Sequence, residues 1–180
     1  DVTTTSEQYA PVAGSGQMDS NSSHRRGGLI MSPGTISHLR VDVVSAPGGG
    51  GSHTFTLWKN NAPTSLVVTI SGSDTSGEDV THSVDCEIGD YVTLAHTPTS
   101  TPTATLIRYG MLWTGDVAGR AIQCSGNTFD IAAHGSTEYL ALGDGGFHNR
   151  SGTETNFRCV WGIDATIRSF GVVLGNAMAA

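Results

Sequence analysis

Thr54-Phe55-Thr56-Leu57-Trp58-Lys59-Asn60-Asn61, followed by Leu66-Val67-Val68-Thr69-Ile70, spells a strand, a turn and a second strand. Phe55 and Leu57 fall two residues apart, as do Leu66, Val68 and Ile70, which is the period of a pleated strand with one face buried. Asn60-Asn61 between them supplies two residues that tolerate positive φ, the requirement of a tight hairpin turn. The segment predicts a β-hairpin over residues 53–71.

Reading outward, the same alternation recurs on both sides. Residues 35–44 form a strand with Ile36, Leu39, Val41 and Val43 apolar, and residues 47–52, with four consecutive glycines, a flexible exposed loop. After the hairpin come a polar turn at 74–78, a strand at 80–86, a tight connection at Ile88-Gly89-Asp90, a strand at 91–96 and a last strand at 106–113. This density of short strands and Gly, Pro, Asn and Asp turns matches an antiparallel β-sandwich.

Composition agrees. The chain has 180 residues, 24 of them glycine, and only 14% are charged, which suits short strands joined by turns and starves helices of their usual formers. Lys59 is the single lysine and the net charge is -7, so no basic field exists to hold a phosphate backbone. No apolar run approaches the roughly 20 residues that span a bilayer. A soluble chain with neither nucleic acid nor membrane as partner is expected. Asp1 at the start marks a processed chain or a piece of a longer one. Cys86, Cys124 and Cys159 are too few for a disulfide scaffold and lack zinc-site spacing, so they read as packed thiols, with one bridge and a leftover thiol as the alternative.

An internal repeat at an offset of 130 sets Ser6-Glu7-Gln8-Tyr9 beside Ser136-Thr137-Glu138-Tyr139, and residues 36–44 over 167–174. The expected organisation is an N-terminal arm and Gly/Ser-rich loop over 1–28, a β-sandwich core over 29–117, and a segment 118–180 that either completes the sandwich or begins a partial second repeat. The first sixteen residues are expected to reach toward a neighbouring subunit.

Seven histidines, His24, His38, His53, His82, His96, His134 and His148, show no metal-ligand spacing. His82 and His96 would approach each other only if their strands paired, with Asp85 or Glu87 nearby; solvated or hydrogen-bonded strand histidines are the simpler reading, and no metal or cofactor is expected. Carboxylates between 74 and 90 read as turn chemistry because they lack the spacing of a calcium loop. No nucleophile elbow or acid pair is present, so no catalytic residue is assigned. Among Trp58, Tyr91, Tyr109, Trp113 and Trp161, Trp58 falls on the face opposite Leu57 and is the candidate contact residue. Asn21-Ser22-Ser23 and Asn149-Arg150-Ser151 fit glycosylation acceptors.

Pro33-Gly34-Thr35-Ile36, Thr54 through Asn61, Leu66 through Ile70, and Ile88-Gly89-Asp90-Tyr91-Val92-Thr93-Leu94 together form a pattern of strand, K-N turn, strand and G-D-x-V-x-L strand. It resembles jelly-roll domains of phage decoration and tail-fibre proteins and, more loosely, trimeric tumour-necrosis-factor/C1q-like heads. The resemblance covers residues 30–115 and implies an all-β jelly-roll-like sandwich with a structural job. The expected function is a non-enzymatic virion protein, a capsid decoration or tail-fibre component. It would pack against copies of itself, as a trimer or filament, and against other virion proteins. The alternative is a carbohydrate-binding or adhesin module that takes a surface glycan, or a subunit of a secreted filament. Either places the chain in a virion or outside the cell.

Overall fold

The computed structural model describes residues 2, 4–12, 18, 20, 27–117, 139–140 and 150–151. Its elements are all strands: β1 (Gln8–Pro11), β2 (Gly28–Leu29), β3 (Gly34–Val43), β4 (Gly48–Lys59), β5 (Ala62–Gly72), β6 (Ser76–Cys86), β7 (Tyr91–Thr99), β8 (Ile107–Gly115), β9 (Tyr139–Leu140) and β10 (Arg150–Ser151). One antiparallel sheet has the order β1-β7-β4-β5, with β2 also on β7; a second has the order β6-β3-β8; β9 and β10 form a separate pair.

The chain crosses repeatedly between the two larger sheets: β3 lies in one, β4 and β5 in the other, β6 back in the first, β7 in the second and β8 in the first. Each sheet therefore holds sequence-distant neighbours, which is jelly-roll connectivity. An eight-stranded jelly roll has four strands per sheet. β1 and β2 lie end to end along one edge of β7, from Gln8 opposite His96 to Leu29 opposite Tyr91, and together fill the fourth place of the larger sheet. The fourth place of the smaller sheet, beside β8, holds no strand among the described residues.

The alternation read from the sequence becomes the core. Phe55 and Leu57 of β4, Leu66, Val68 and Ile70 of β5, and Val92 and Leu94 of β7 meet Ile36, Leu39, Val41 and Val43 of β3 and Val84 of β6, all buried. Non-directional burial of this apolar area, at about 25 cal/mol per Å², is the main force holding the sheets face to face. Two glycines permit close approach between layers and strands. A Cβ on Gly77 of β6 would stand 2.7 Å from Cγ1 of Val68, and one on Gly34 would meet the Trp113 ring at 2.5 Å and the Thr114 carbonyl at 2.6 Å.

Two expectations are corrected. The glycine run is not a free loop: β4 begins at Gly48, and Gly51 is buried against Pro102. Gly48 and Gly50 have positive φ and the register with β5 slips between Gly48 and Ser52, so the glycines form an irregular strand start that residues with a Cβ resist. The N-terminal arm packs on its own domain through β1 and through a bridge from Val2 to Thr105. His82 and His96 lie in different sheets and do not pair. Of the proposed repeat, Tyr9 stands in β1 and its counterpart Tyr139 in β9; the strand expected at 167–174 lies outside the described residues.

Candidate functional site

One end of the sandwich is closed by the residues of the K-N and G-D motifs. Asn60 and Asn61 take φ of 51° and 65°, so the two-residue turn between β4 and β5 is the left-handed kind that asparagine tolerates. Asn60 Nδ2 donates to Asp90 Oδ1 at 2.6 Å, and its Oδ1 accepts from the Tyr91 amide at 3.0 Å. Asp90 Oδ2 accepts from the Glu87 amide and lies 3.2 Å from Lys59 Nζ, which also donates to the Asp85 carbonyl. Burial alone would raise the Asp90 carboxyl, but the bonds from Glu87, Asn60 and Lys59 outweigh it and hold the group below its ordinary range. The chain's one lysine is thus part of a clasp joining two turns 30 residues apart in sequence.

The opposite end contains a buried histidine pair. His53 of β4 and His96 of β7 are both fully buried, with His53 Nδ1 2.9 Å from His96 Nε2 and His53 Nε2 3.0 Å from the Thr103 carbonyl. The carbonyl only accepts, so Nε2 of His53 carries a hydrogen and its Nδ1 accepts from His96 Nε2–H. His96 Nδ1 is then a bare acceptor, and it has no hydrogen-bond partner. Both rings are neutral in this arrangement. Burial, and then the neighbouring His53, push His96 down to about 4 from 6.5, and burial lowers His53 against the opposing pull of Thr103. The pair is a structural core element beside Phe55, whose ring centroid lies 5.1 Å from that of His96.

The smaller sheet is kinked at its centre. In β3 the register against β8 gains one residue between Ser37 and Arg40, and against β6 it shifts between Ser37 and Leu39, with His38 at φ 55°. Across the bulge, Asp79 of β6 is buried in mid-strand rather than in a turn, contrary to the sequence reading. It accepts from the amides of Val67, Thr81 and His82 and lies 2.9 Å from His82 Nδ1. Burial works to raise this carboxyl, and the bonds overcome it and drive it well below the usual carboxylate range. No group of three or more metal-ligating side chains occurs among the described residues.

Trp58 does lie on the face opposite Leu57, as its phase predicts, but it is half-buried and its ring meets Tyr9 of β1 edge to face at 5.6 Å. Around it the outer face of the larger sheet carries threonines in register: Thr54 lies between Thr69 on β5 and Thr97 on β7. Tyr9 donates to Glu7, and burial together with that carboxylate raises its hydroxyl to about 12. Cys86 is buried and its thiol is pushed up to about 11, in keeping with a packed thiol. Asn21, Asn149, Trp161, Cys124, Cys159, His24, His134 and His148 lie outside the described residues.

The remaining feature is the outer edge of β8. Ile107, Tyr109, Met111 and Trp113 face the core but are only partly buried, and Leu112 on the other face is 52% exposed. The Trp113 indole nitrogen is shielded from water and has no acceptor. A shallow depression beside the edge is lined by His38, Arg40, Arg108, Gly110 and Leu112. These features define an antiparallel β-sandwich in which no strand of the described residues lies on the outer side of β8. No known protein family, curated protein or solved structure matches the chain.

Proposed function

We propose that this chain is a non-enzymatic structural protein of a virion, a capsid decoration or tail-fibre component, that works by packing sandwich against sandwich. The observation that carries this reading is the place beside β8, which no strand of the described residues fills and where core-facing Ile107, Met111 and Trp113 are only partly buried. Monomeric sandwiches cover or guard such edges, whereas assembling ones leave them for a partner. The buried histidine pair and the buried Asp79 take their contacts from groups inside the sandwich, whereas the outer side of β8 pairs with no strand among the described residues. Native mass by light scattering over a range of concentrations tests the proposal. A discrete oligomer or a mass that grows with concentration is expected, and a monomer throughout overturns it.

A second reading, a glycan-binding module, is favoured by one observation: the half-buried Trp58 ring, braced edge-on by the buried Tyr9, on the same outer face as the threonine row. Flat rings flanked by hydroxyls suit sugar rings. Glycan-array binding lost in Trp58→Ala, by a chain that stays monomeric, would place this reading first.

A further inference from the structure

We propose that the occupant of the place beside β8 is the β8 strand of a second copy, paired antiparallel across a two-fold axis at Met111, so that two three-stranded sheets become one of six. The inference rests on the assembly reading above and adds the seam, the partner and the register.

The two edges of the smaller sheet differ. β6 is guarded: Glu78, Asp79, His82 and Asp85 lie along it, and it bulges where Ser37 and Leu39 of β3 oppose Ser83 and Asp79. Charges and bulges are the usual protection against edge pairing. β8, Ile107-Arg108-Tyr109-Gly110-Met111-Leu112-Trp113-Thr114-Gly115, has one charge, no proline and no bulge of its own. The Val44 amide donates to the Leu106 carbonyl, so even-numbered residues of this strand turn their backbone groups toward β3. By strand alternation Met111 and Trp113 turn theirs to the outer edge.

The sequence of β8 is self-complementary about Met111. With Met111 opposite Met111, Gly110 stands opposite Leu112, Tyr109 opposite Trp113, Arg108 opposite Thr114 and Ile107 opposite Gly115. Nothing lies within 4 Å of where a Gly110 Cβ would be, so the exposed Leu112 of one copy has open space over Gly110 of the other. Tyr109 and Trp113 form aromatic cross-strand pairs on the core side, a favourable pairing in antiparallel ladders. The two arginines are never directly opposed. A two-fold seam of this kind is isologous, each contact made twice.

The register gives a specific experiment on the full chain. Equal amounts of Gly110→Cys and Leu112→Cys chains are mixed, oxidised mildly and digested, and the disulfide between positions 110 and 112 is sought by mass spectrometry. Light scattering is run in parallel on the wild type and on Leu112→Lys, which places a charge on the edge. A wild-type mass of two chains, a 110–112 crosslink in the mixture, and at least about tenfold weaker association in Leu112→Lys are expected. A chain that oligomerises with no 110–112 crosslink and no response to Leu112→Lys overturns the seam while the assembly reading stands. A monomer whose Met111 and Trp113 amides are nevertheless protected from hydrogen exchange overturns both, and assigns the edge to the chain's own residues 118–180. A monomer with exchanging amides also overturns both.

Discussion

Acidification should destabilise the sandwich through His96. The folded chain holds His96 at about 4 and the unfolded chain lets it titrate near its ordinary 6.5. Between these values the unfolded state binds a proton that the folded state refuses, so stability is fully present above about pH 6.5 and falls with pH until about pH 4. At about 1.4 kcal/mol per pH unit the loss from His96 reaches about 2 kcal/mol near pH 5 and about 3 kcal/mol near pH 4. His53 is shifted in the same direction and adds to the slope. Against a total stability of about 5–15 kcal/mol for an ordinary domain, this is a large fraction. Urea unfolding followed by tryptophan fluorescence, at constant ionic strength between about pH 7.5 and pH 5, measures the slope. His96→Gln keeps a donor for His53 Nδ1 and removes the titrating ring, so its slope should fall by about one proton. A wild-type stability that is flat across this range, or an unchanged slope in His96→Gln, would refute the reasoning.

Asp79→Asn should cost about 2–3 kcal/mol in the same unfolding assay, because a buried carboxylate that accepts three amide hydrogens becomes a neutral group that brings two donors of its own. Since Asp79 is held below its ordinary value, its stabilisation persists above about pH 4 and fades only as pH falls through the acid range, separating it from the histidine window. Gly34→Ala should destabilise by about 2 kcal/mol or more, since its Cβ meets the fixed Thr114 carbonyl as well as the Trp113 ring; a near-neutral result in thermal unfolding would show that β3 and β8 are not packed this closely. The Cys86 thiol should resist alkylation in the native chain at neutral pH and react at full rate in urea, as read by peptide mass spectrometry, because it is both buried and kept protonated.

The order of strands from β3 to β8 was readable because each presents an apolar row with period two, and each turn carries the residues its backbone demands. Asn60 and Asn61 needed positive φ and Gly89, at φ 95°, needed the absence of a Cβ, and the sequence signals both. The bulge at His38 was also signalled, by the step of three from Ile36 to Leu39 where every other step in β3 is two, but a list of apolar residues hides that slip. What alternation cannot disclose is which polar residues point inward. His53 sits in phase with Phe55 and Leu57 and so was destined for the core, yet its partner His96 lies 43 residues on, and only the β4–β7 pairing brings them together. Asp79 was hidden for the same reason: the amides that stabilise it come from a bulge and from β5.

The proposed function depends on one further fact that no local pattern contains, namely which strand is last in its sheet. Read alone, β8 has the alternation of any half-buried strand, and its aromatic residues look like ordinary core. Its place in the order β6-β3-β8 is what leaves Met111 and Trp113 at a boundary. The same residues in a central strand would be packing; at an edge with a single charge, and with a glycine opposite a leucine under two-fold symmetry, they are the residues that the proposed seam would join. The distinction has a physical consequence apart from assembly. Filling the place beside β8 would remove apolar surface of Ile107, Met111 and Trp113 from water at about 25 cal/mol per Å². Partner binding at this edge should therefore raise the stability of the sandwich itself, with an unfolding midpoint that rises with protein concentration.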